Sequence, residues 1–391
     1  MKKILFLTVF ISSFCFSQTN TEIYVFDLIK IDGTIDLQNS IKISNNKGYN
    51  SQPSFYDQNT VIFAASRNGK TDIALYDLKQ EHPRLSYISE TKNGGEYSPQ
   101  RIPNSKNISA VRLDEDGLQR FYSYKQQKAT ELIANLKVAY PTWYDKNTLI
   151  AVAIVKDSLE LFISDLKTKI NISVAKNVGR SVHKIPNSNL ISFISKENEK
   201  DWLLKSLNPI TKEIKTITTI GKSKDIAWLP SGHLLIPDGN KIYQFHPKKD
   251  KNARLFFSFY DENINNISRI AINKTGTKIA ITAEVSPRHL AEEQLEGYNN
   301  RDINAFLKPY AKDVRVYRFP NKLDYEGIEN MRKRYEGFFK NTPDLHCKIM
   351  NRIVYENKVI DYEVVTANGA EFKAISIFEI KNGKIISVTF M

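Results

Sequence analysis

Pro53–Ala64 reads PSFYDQNTVIFA, and Pro141–Val152 reads PTWYDKNTLIAV. Each stretch begins with Pro, continues through a short segment of β-forming residues, turns at Asp-x-Asn and ends in an apolar run. The two copies start 88 residues apart. This spacing is twice a period of about 44 residues, which is typical of repeated supersecondary units.

Two further pairs of segments have a similar period. Ile102–Val111 (IPNSKNISAV) and Ile185–Ile194 (IPNSNLISFI) start 83 residues apart. Ile226–Gly232 (IAWLPSG) and Ile270–Gly276 (IAINKTG) start 44 residues apart. Equivalent starts therefore fall near residues 53, 99, 141, 182, 226 and 270, which predicts six repeated units.

Each unit also contains alternating apolar residues, which predict half-buried strands. Asp72–Leu78 (DIALYDL) and Leu159–Leu166 (LELFISDL) share this alternation and a closing Asp-Leu. Glycine supplies the positive φ that tight hairpin turns need, and such turns are predicted at Asn68-Gly69, Asp116-Gly117 and Asp238-Gly239. About four strands per repeat of this length indicate the blades of a β-propeller.

The sixth unit is short, because Ile270–Val285 contains only two predicted strands before the pattern becomes helical. Glu22–Leu28 (EIYVFDL) ends in the same Asp-Leu as the third strands of other units. We therefore predict that this N-terminal strand pairs beside Ile279–Ala283 and completes the last blade, which leaves no long unpaired sheet edge. The alternative is a β-sandwich with coincidental spacing.

The first unit resembles a known family. YNSQPSFY at Tyr49–Tyr56 and RNGKTDIALYDL at Arg67–Leu78 resemble a blade of the TolB-like six-bladed propellers, and the resemblance covers roughly residues 20–285. It implies a periplasmic interaction platform in which the mouth of the central channel contacts partners. The resemblance implies no enzymatic reaction. None of the family's partner-binding residues can be assigned to a position in this sequence.

Helical periodicity begins near Ser286, where the apolar period changes from two to three or four. Ser286 is a predicted N-cap, and Pro287 suits the first position of a helix. Asp302 is predicted to cap a second helix that includes Tyr310, and Gly327–Lys340 forms a third.

Strand-like runs follow the three predicted helices. They are Leu345–Tyr355, Lys358–Thr366, Glu371–Ile380 and Lys384–Phe390. Turns at Asn368-Gly369 and Asn382-Gly383 join the later runs. Helices followed by an antiparallel meander predict an α+β domain.

This C-terminal stretch, about residues 287–391, resembles the SnoaL-like branch of the nuclear-transport-factor-two-like superfamily. The resemblance is carried by Gly297–Leu307 (GYNNRDINAFL), Tyr310–Tyr317 (YAKDVRVY), Gly327 and Asn382–Val388 (NGKIISV). It implies a cone, in which a curved antiparallel sheet wraps around helices and encloses a pocket. Members include isomerases and cyclases, whereas others bind ligands or dimerise, so the fold alone does not give the function.

The isomerase-like members use a carboxylate base and hydrogen-bond donors in an apolar cone. The candidate catalytic residues here are Asp361, Glu363 and His346, with Tyr317 as a donor. Alternation places Asp361 and Glu363 on the strand face opposite Tyr362. We expect the Tyr362 face to be the core, so that both carboxylates are solvated and His346 lies at the surface or rim.

Aromatic side chains provide a second set of candidates. The candidate ligand-binding residues are Tyr298, Tyr317, Tyr335 and Phe339. Aromatic residues at helical or strand spacing also fill ordinary cores, and this is the favoured interpretation of these positions. Trp143 and Trp228 occupy equivalent positions of the repeat and are therefore predicted to lie in the blade core rather than at a sugar-binding mouth.

Composition sets the class of protein. The chain has 391 residues, of which 41% are hydrophobic and 25% charged, with only 2 cysteines, which excludes collagen-like, low-complexity and disulfide-rich classes. The net charge of +13 is spread without a dense basic run, so we predict no nucleic-acid site, and an anionic envelope polymer is a candidate partner. The six histidines lack metal-ligand spacing, so neither a metal nor another cofactor is predicted.

Residues 1–17 (MKKILFLTVFISSFCFS) have the pattern of a signal peptide that is cut before Gln18. The competing interpretation is a lipid anchor at Cys15, although Phe14 occupies a position where such a site needs a small residue. The apolar run is too short to span a bilayer, and no transmembrane segment is predicted after it. The predicted organisation is a signal peptide at 1–17, a TolB-like propeller at 18–285 and a SnoaL-like domain at 286–391.

Two functions follow from this organisation. The favoured hypothesis is an exported binding protein of the cell envelope, periplasmic or secreted, in which the propeller contacts an envelope protein and the cone holds a small apolar ligand. The alternative is an isomerase- or cyclase-type enzyme that uses a carboxylate base in the cone. The resemblance also makes dimerisation of the C-terminal domain an expectation.

Overall fold

The structure is a computed structural model that describes residues 20–31, 34–92, 94–125, 128–261 and 263–391. The predicted signal peptide, residues 1–17 with Cys15, lies outside the described residues. None of the helices in those described ranges is long and apolar enough to cross a membrane.

Strands dominate the first part of the described chain, where four-stranded groups follow one another. The two N-terminal strands are β1 (Thr21–Ile31) and β2 (Thr34–Lys42). Five groups of four strands follow. The first two groups are β3 (Asn50–Phe55), β4 (Thr60–Arg67), β5 (Lys70–Asp77) and β6 (Ser86–Tyr87), and then β7 (Gly95–Arg101), β8 (Ile108–Leu113), β9 (Gln119–Lys125) and β10 (Lys128–Ile133). The other three groups are β11 (Val138–Trp143), β12 (Thr148–Val155), β13 (Ser158–Asp165) and β14 (Ile170–Lys176); β15 (Val178–Lys184), β16 (Ile191–Ser195), β17 (Leu203–Leu207) and β18 (Ile214–Thr219); and β19 (Ala227–Trp228), β20 (Leu234–Asp238), β21 (Lys241–Phe245) and β22 (Arg254–Ser258). The last two strands of this part are β23 (Asn265–Ile272) and β24 (Lys278–Glu284).

Within each group, strands that are consecutive in sequence pair antiparallel. The first two groups are also joined by one parallel pair, Thr71 with Gly95. The predicted unit starts at residues 53, 99, 141, 182 and 270 each lie in the first strand of a unit, and residue 226 directly precedes β19. The period read from the sequence therefore marks the inner strand of each sheet.

The hairpin between β4 and β5 shows how a local signal sets the register. Arg67 pairs with Lys70, so the loop contains only Asn68 and Gly69, whose φ angles are 49° and 76°. Two consecutive positive φ angles define a type I′ turn, whose twist matches that of the flanking strands. The turn aligns the apolar positions of β4 and β5, where six of the eight residues of β4 and four of the eight residues of β5 are buried.

β1 lies beside β24, as the sequence predicted. Glu22 pairs with Ala283 and Phe26 with Ile279 in an antiparallel register. The resulting sheet has the order β2-β1-β24-β23, so it joins the N-terminal strands to the last strands before the helices. It has four strands, like the other groups.

Buried apolar clusters lie between neighbouring sheets. One cluster joins Phe121 of β9 to Val138 and Trp143 of β11, and another joins Val25 of β1 to Phe63 of β4. The second cluster connects the sheet that contains β1 to the first group. Burying one large apolar side chain contributes about 1.5–3 kcal/mol, so these seams between sheets are the main cohesive contacts.

The two repeat tryptophans are core residues. Trp143 and Trp228 are each 8% exposed. The indole N–H of Trp143 donates to Ser109 Oγ at 2.9 Å, and that of Trp228 donates to Ser192 Oγ at 2.8 Å. Equivalent serines of the preceding sheets therefore satisfy the buried indole N–H groups, as burial requires.

The C-terminal part contains helices packed on one sheet. Its elements are α1 (Pro287–Asn299), α2 (Ile303–Leu307), β25 (Tyr310–Arg318), β26 (Lys322–Glu326), α3 (Ile328–Asn341), β27 (His346–Tyr355), β28 (Lys358–Ala367), β29 (Ala370–Lys381) and β30 (Lys384–Phe390). The sheet order is β26-β25-β30-β29-β28-β27. Ser286 Oγ accepts a hydrogen bond from Arg288 N at 3.3 Å, and Asp302 Oδ1 accepts one from Asn304 N at 2.9 Å, so both predicted caps are present.

Two features of this domain differ from the prediction. The second helix ends at Leu307, and Tyr310 begins strand β25, which was not predicted as a strand. β25 pairs parallel with β30, so the sheet is not a simple antiparallel meander. Four charged residues among the seven of Lys312–Arg318 hide the alternation of Val314 and Val316, whose side chains face the core.

Candidate functional site

A cavity of about 490 Å³ lies in the C-terminal domain between the helices and the sheet. Its apolar lining is supplied by α1, α2, α3 and the sheet, and includes Leu295, Tyr298, Phe306, Tyr335, Phe338, Phe372 and Phe390. Cavities of about 300–1,000 Å³ with apolar walls and few polar groups are typical of small-molecule sites.

The expectation that Asp361 and Glu363 point to solvent is wrong. Asp361 is fully buried and Glu363 is 8% exposed, whereas Tyr362 between them is 38% exposed. Val359 and Val365 lie on the same buried face of β28 as the two carboxylates. Both faces of this strand carry apolar residues, and the helices cover the face that the sequence pattern assigned to solvent.

Of the two buried carboxyl groups of β28, Glu363 is the one that lines the cavity. Ser376 Oγ donates to Glu363 Oε1 at 2.6 Å, and Cys347 Sγ donates to Oε2 at 3.5 Å. Burial raises the pKa of Glu363, against the hydrogen bond from Ser376, which lowers it. The carboxyl group therefore holds a proton more readily than an exposed glutamate does.

Asp361 has a different role from Glu363. Arg352 Nε and Nη2 donate to Asp361 Oδ1 and Oδ2, each at 2.7 Å, in a two-pronged ion pair. Arg352 also lies 3.4 Å from Glu292 of α1. Asp361 does not line the cavity. It is a buried anchor between β27 and β28, since both its oxygens are occupied by one guanidinium.

His346 does not join this site. It is exposed on β27, whereas the next residue, Cys347, is 5% exposed and lines the cavity. Successive side chains of a strand point to opposite faces. Because Cys347 points into the cavity, His346 points away from it. This agrees with the expectation of a surface or rim histidine.

The aromatic candidates fall into three places. Tyr298 and Tyr335 line the cavity. Phe339 is 6% exposed and packs behind them, with ring centroids 5.6 Å from Tyr298 and 5.7 Å from Tyr335. Tyr317 lines a different, open cavity of about 1140 Å³ together with Lys312, so it is not placed as a donor for Glu363.

Sequence reasoning missed several polar groups of the cavity. Tyr310 O–H donates to Gln294 Oε1 at 3.3 Å, and both residues line the cavity with Ser376 and Cys347. Burial raises the pKa values of Tyr298, Tyr310 and Tyr335, so their hydroxyl groups stay protonated near neutral pH. The signal that could have found Ser376 and Cys347 is the period of two along β29 and β27, once the inner face was known.

This arrangement can bind an apolar molecule and exchange a proton with it. A carboxyl group with a raised pKa accepts or donates a proton near neutral pH more readily than an ordinary one. The phenols are hydrogen-bond donors beside a mainly apolar surface, whose charged side chains besides Glu363 are Arg318, Asp324 and Arg334. Within the described ranges, no group of three His, Cys, Asp or Glu side chains is arranged to hold a metal ion.

A narrow cavity lies among the first strands of the groups in the strand region. It has a volume of about 80 Å³ and is lined by residues of β3, β7, β11, β15 and β23 and by Asp225 just before β19. Each group of strands therefore contributes to this cavity, which we call the central channel. Its charged side chains are Arg180, Asp225 and Arg269, with His183 beside them.

Comparison with known proteins identifies both parts of the chain. The SnoaL-like domain family matches residues 291–388. A search of curated proteins found no match.

A solved structure gives the fold of the strand region, and others are similar to the C-terminal part. A structure assigned to TolB from Agrobacterium tumefaciens is 11% identical, covers 68% of this chain and 99% of its own, and has a TM-score of 0.53. An NTF2-like protein of unknown function from Cytophaga hutchinsonii is 17% identical, covers 28% of this chain and 91% of its own, with a TM-score of 0.25. An uncharacterised cystatin-fold protein from Novosphingobium aromaticivorans is 19% identical, covers 27% of this chain and 98% of its own, and has a TM-score of 0.27. The chain thus joins a strand region that has the fold of a TolB-like propeller to a C-terminal SnoaL-like domain.

Proposed function

We propose that this protein is an exported binding protein of the cell envelope, whose C-terminal cavity holds a small, mainly apolar ligand. The observation that carries the proposal is Glu363, a buried carboxyl group in an aromatic cavity of about 490 Å³. A ligand with fused or linked rings fits this lining, and one hydroxyl or carbonyl group on it forms a hydrogen bond with Glu363.

The test uses 2-naphthol, a two-ring fluorescent phenol whose hydroxyl group can donate to Glu363. We expect saturable binding, and we expect Glu363→Gln to weaken it by roughly tenfold, since hydrogen bonds to charged groups contribute about 1.5–3 kcal/mol. Ala374 lines the cavity, so Ala374→Leu narrows it and abolishes binding. The matched control is Ala370→Leu, an exposed position of the same strand.

Binding that survives Ala374→Leu unchanged would place the probe elsewhere and contradict the proposal. Absence of saturable binding to the wild type would contradict it as well. Circular dichroism of each variant separates a lost site from a lost fold.

The strand region is proposed to be a closed six-bladed ring that spans residues 18–285 and serves as a platform for an envelope protein. Support comes from the pairing of β1 with β24 and from the cluster that joins Val25 to Phe63. Asn273 Nδ2 also donates to Gln58 O at 3.2 Å, which links the last unit to the first. The channel among the inner strands offers a mouth at which a partner can dock.

Export rests on the leader pattern of residues 1–17. Expression of the full chain in a Gram-negative host, followed by cell fractionation and N-terminal sequencing, tests it. We expect a mature chain that begins at Gln18 in the periplasm or medium. A cytoplasmic chain that keeps Met1 would contradict export.

Proton-transfer catalysis is the second candidate function. It is favoured by the raised pKa of Glu363, because a base with a higher pKa removes a proton from carbon more effectively. Glu363 would take the proton next to a ketone, and a protonated phenol such as Tyr298 would stabilise the resulting enolate oxygen. Deuterium exchange into the α-carbon of a cyclic ketone, 2-tetralone, followed by NMR, tests this. Exchange that is no faster than with Glu363→Gln excludes it for that substrate class.

A further inference from the structure

Another cavity, of about 660 Å³, is lined mainly by the strand region. Its walls come from the segment between β18 and β19, the turn after β20, parts of β1, β3, β15, β21, β23 and β24, and Asn382 of the C-terminal domain. Arg180 lines both this cavity and the narrow central channel, so its guanidinium lies where the two meet. We call this place the throat.

Arg180 is held in the throat by backbone oxygens. Its Nη2 donates to Ser268 O at 2.5 Å, and its Nε donates to Lys224 O at 3.4 Å. Among the described residues, no carboxylate lies within salt-bridge distance of this guanidinium. Burial, and then the neighbouring Arg269, lower the pKa of Arg180 to about 10, so it is still charged at neutral pH.

The carboxylate of Asp225, which also lies in the throat, is already engaged. Asp225 Oδ2 accepts a hydrogen bond from Ile270 N at 3.0 Å, and Asp225 Oδ1 lies 3.7 Å from Arg269 Nη1. Asp225 is 4% exposed. Two guanidinium groups therefore share one carboxylate in a largely desolvated place, and a positive charge is left without a direct counter-charge.

The rest of the cavity does not remove this imbalance. Its other charged side chains are Lys222, Lys224 and Lys251 against Asp238 and Glu284. Burial raises the pKa of Glu284, which favours its neutral form and further reduces the negative charge. A concave surface with an excess of one sign concentrates ligands of the opposite sign.

Hydroxyl and amide groups line the same cavity as Arg180. Thr218, Thr219, Tyr243 and Asn252 line the cavity, and within the described ranges their side chains form no hydrogen bond with the protein. They are therefore available to a ligand. Such groups suit a molecule that carries several hydroxyl groups rather than an apolar one.

We propose that the throat binds the carboxylate of a small, polyhydroxylated organic acid. The carboxylate takes the place of the missing counter-charge on Arg180, in the planar geometry that guanidinium and carboxylate groups share. The hydroxyl groups of the acid meet the threonine, tyrosine and asparagine side chains of the cavity wall. This site is separate from the C-terminal cavity, and its ligand differs from the apolar one proposed there.

Isothermal titration with D-glucuronate, with D-glucose as the uncharged probe, tests the proposal. We expect saturable binding of glucuronate, at least roughly tenfold weaker binding of glucose, and weaker binding of glucuronate at high salt. Arg180→Gln should weaken glucuronate binding at least tenfold, whereas Arg180→Lys keeps part of it. Arg84→Gln, an exposed arginine between β5 and β6, is the matched control and should bind as the wild type does.

Equal binding of glucose and glucuronate, no saturable glucuronate binding by the wild type, or wild-type affinity of Arg180→Gln would each overturn the proposal. Thermal melting of each variant shows whether it is folded. If Arg180→Gln does not fold, Arg180→Lys and Lys222→Gln carry the test, and unchanged affinity in both would overturn the proposal. Ala374→Leu should leave glucuronate binding unchanged, which separates this site from the C-terminal one.

Discussion

At the scale of single residues, the C-terminal domain buries two carboxylates that differ in their partners. Asp361 is neutralised by Arg352, whereas Glu363 lines the cavity and accepts hydrogen bonds, within the described ranges, from Ser376 and Cys347 alone. Position in the same strand therefore does not give the two groups the same chemistry. The partner on the neighbouring strand decides which one is available to a ligand.

The pH dependence of stability should report Glu363. Its pKa is raised in the folded state, so folding is favoured where the group is protonated, and this contribution is lost as pH rises from the unfolded pKa through the folded one. Urea unfolding of the wild type and Glu363→Gln should thus show the variant gaining stability relative to the wild type between pH 4.5 and neutral pH. Glu371→Gln, an exposed position of the adjacent strand, should show no such trend. A constant difference across this range would contradict the raised pKa.

Removal of Arg352 should be strongly destabilising. Arg352→Met leaves Asp361 buried without its counter-charge, which costs about 3–5 kcal/mol. The double variant Arg352→Met with Asp361→Leu should recover most of this loss, because no charge is then buried. Denaturant unfolding measures the stability of both variants. A double variant that is as unstable as the single one would argue against a purely electrostatic role for the pair.

The sequence indicated that Asp361 and Glu363 share a face, but it led to the wrong choice of face. Val359 and Val365 make one face of β28 apolar, and Ile360 and Val364 do the same for the other. Only the placement of helices α1 and α3 determines which face is covered, and that placement depends on long-range packing. Ser376 and Tyr310 were missed for the same reason.

At the scale of elements, turns and caps were predictable because they depend on a few adjacent residues. The Asn-Gly hairpins and the caps at Ser286 and Asp302 are local in this sense. β25 was missed because its partner β30 lies far along the chain and its exposed side chains are charged. A strand of this kind is stabilised by its neighbours rather than by its own pattern.

The packing of α1 on α2 depends on Gly297. A Cβ atom at this position would lie 2.3 Å from Phe306 N, whereas a Cβ at Gly337 of α3 would contact nothing within 4 Å. Gly297→Ala should therefore cost about 1–3 kcal/mol through forced displacement of the two helices. Gly337→Ala should instead stabilise by about 0.5–1 kcal/mol, since alanine favours the helix. Thermal unfolding measures the change in stability of each variant. A change of the same sign in both variants would contradict this packing.

At the scale of the whole molecule, the repeat of about 44 residues made most of the fold predictable, because every unit repeats the same local signals. The N-terminal strand β1 completes the last sheet beside β24. The channel and its throat form only where the first strands of all the groups meet. The sequence of a single repeat therefore does not predict them. This explains why the sequence predicted the blades but not the cluster of Arg180, Asp225 and Arg269.

The proposed closure of the strand region predicts the effect of removing the N-terminal strands. A chain without residues 20–42 exposes the edge of β24, so hydrogen exchange in Lys278–Glu284 should accelerate at least roughly tenfold. Exchange in the C-terminal strand β28 serves as the internal control and should change little. Unchanged protection of Lys278–Glu284 would show that β1 does not complete that sheet in solution.

The most direct test of the C-terminal ligand site is a crystal structure of the full mature protein soaked with 2-naphthol. We predict density for the probe between Tyr298 and Tyr335, with its hydroxyl group within about 3.2 Å of a Glu363 oxygen. A fully occupied probe bound anywhere else, with this cavity empty, would contradict the proposed function.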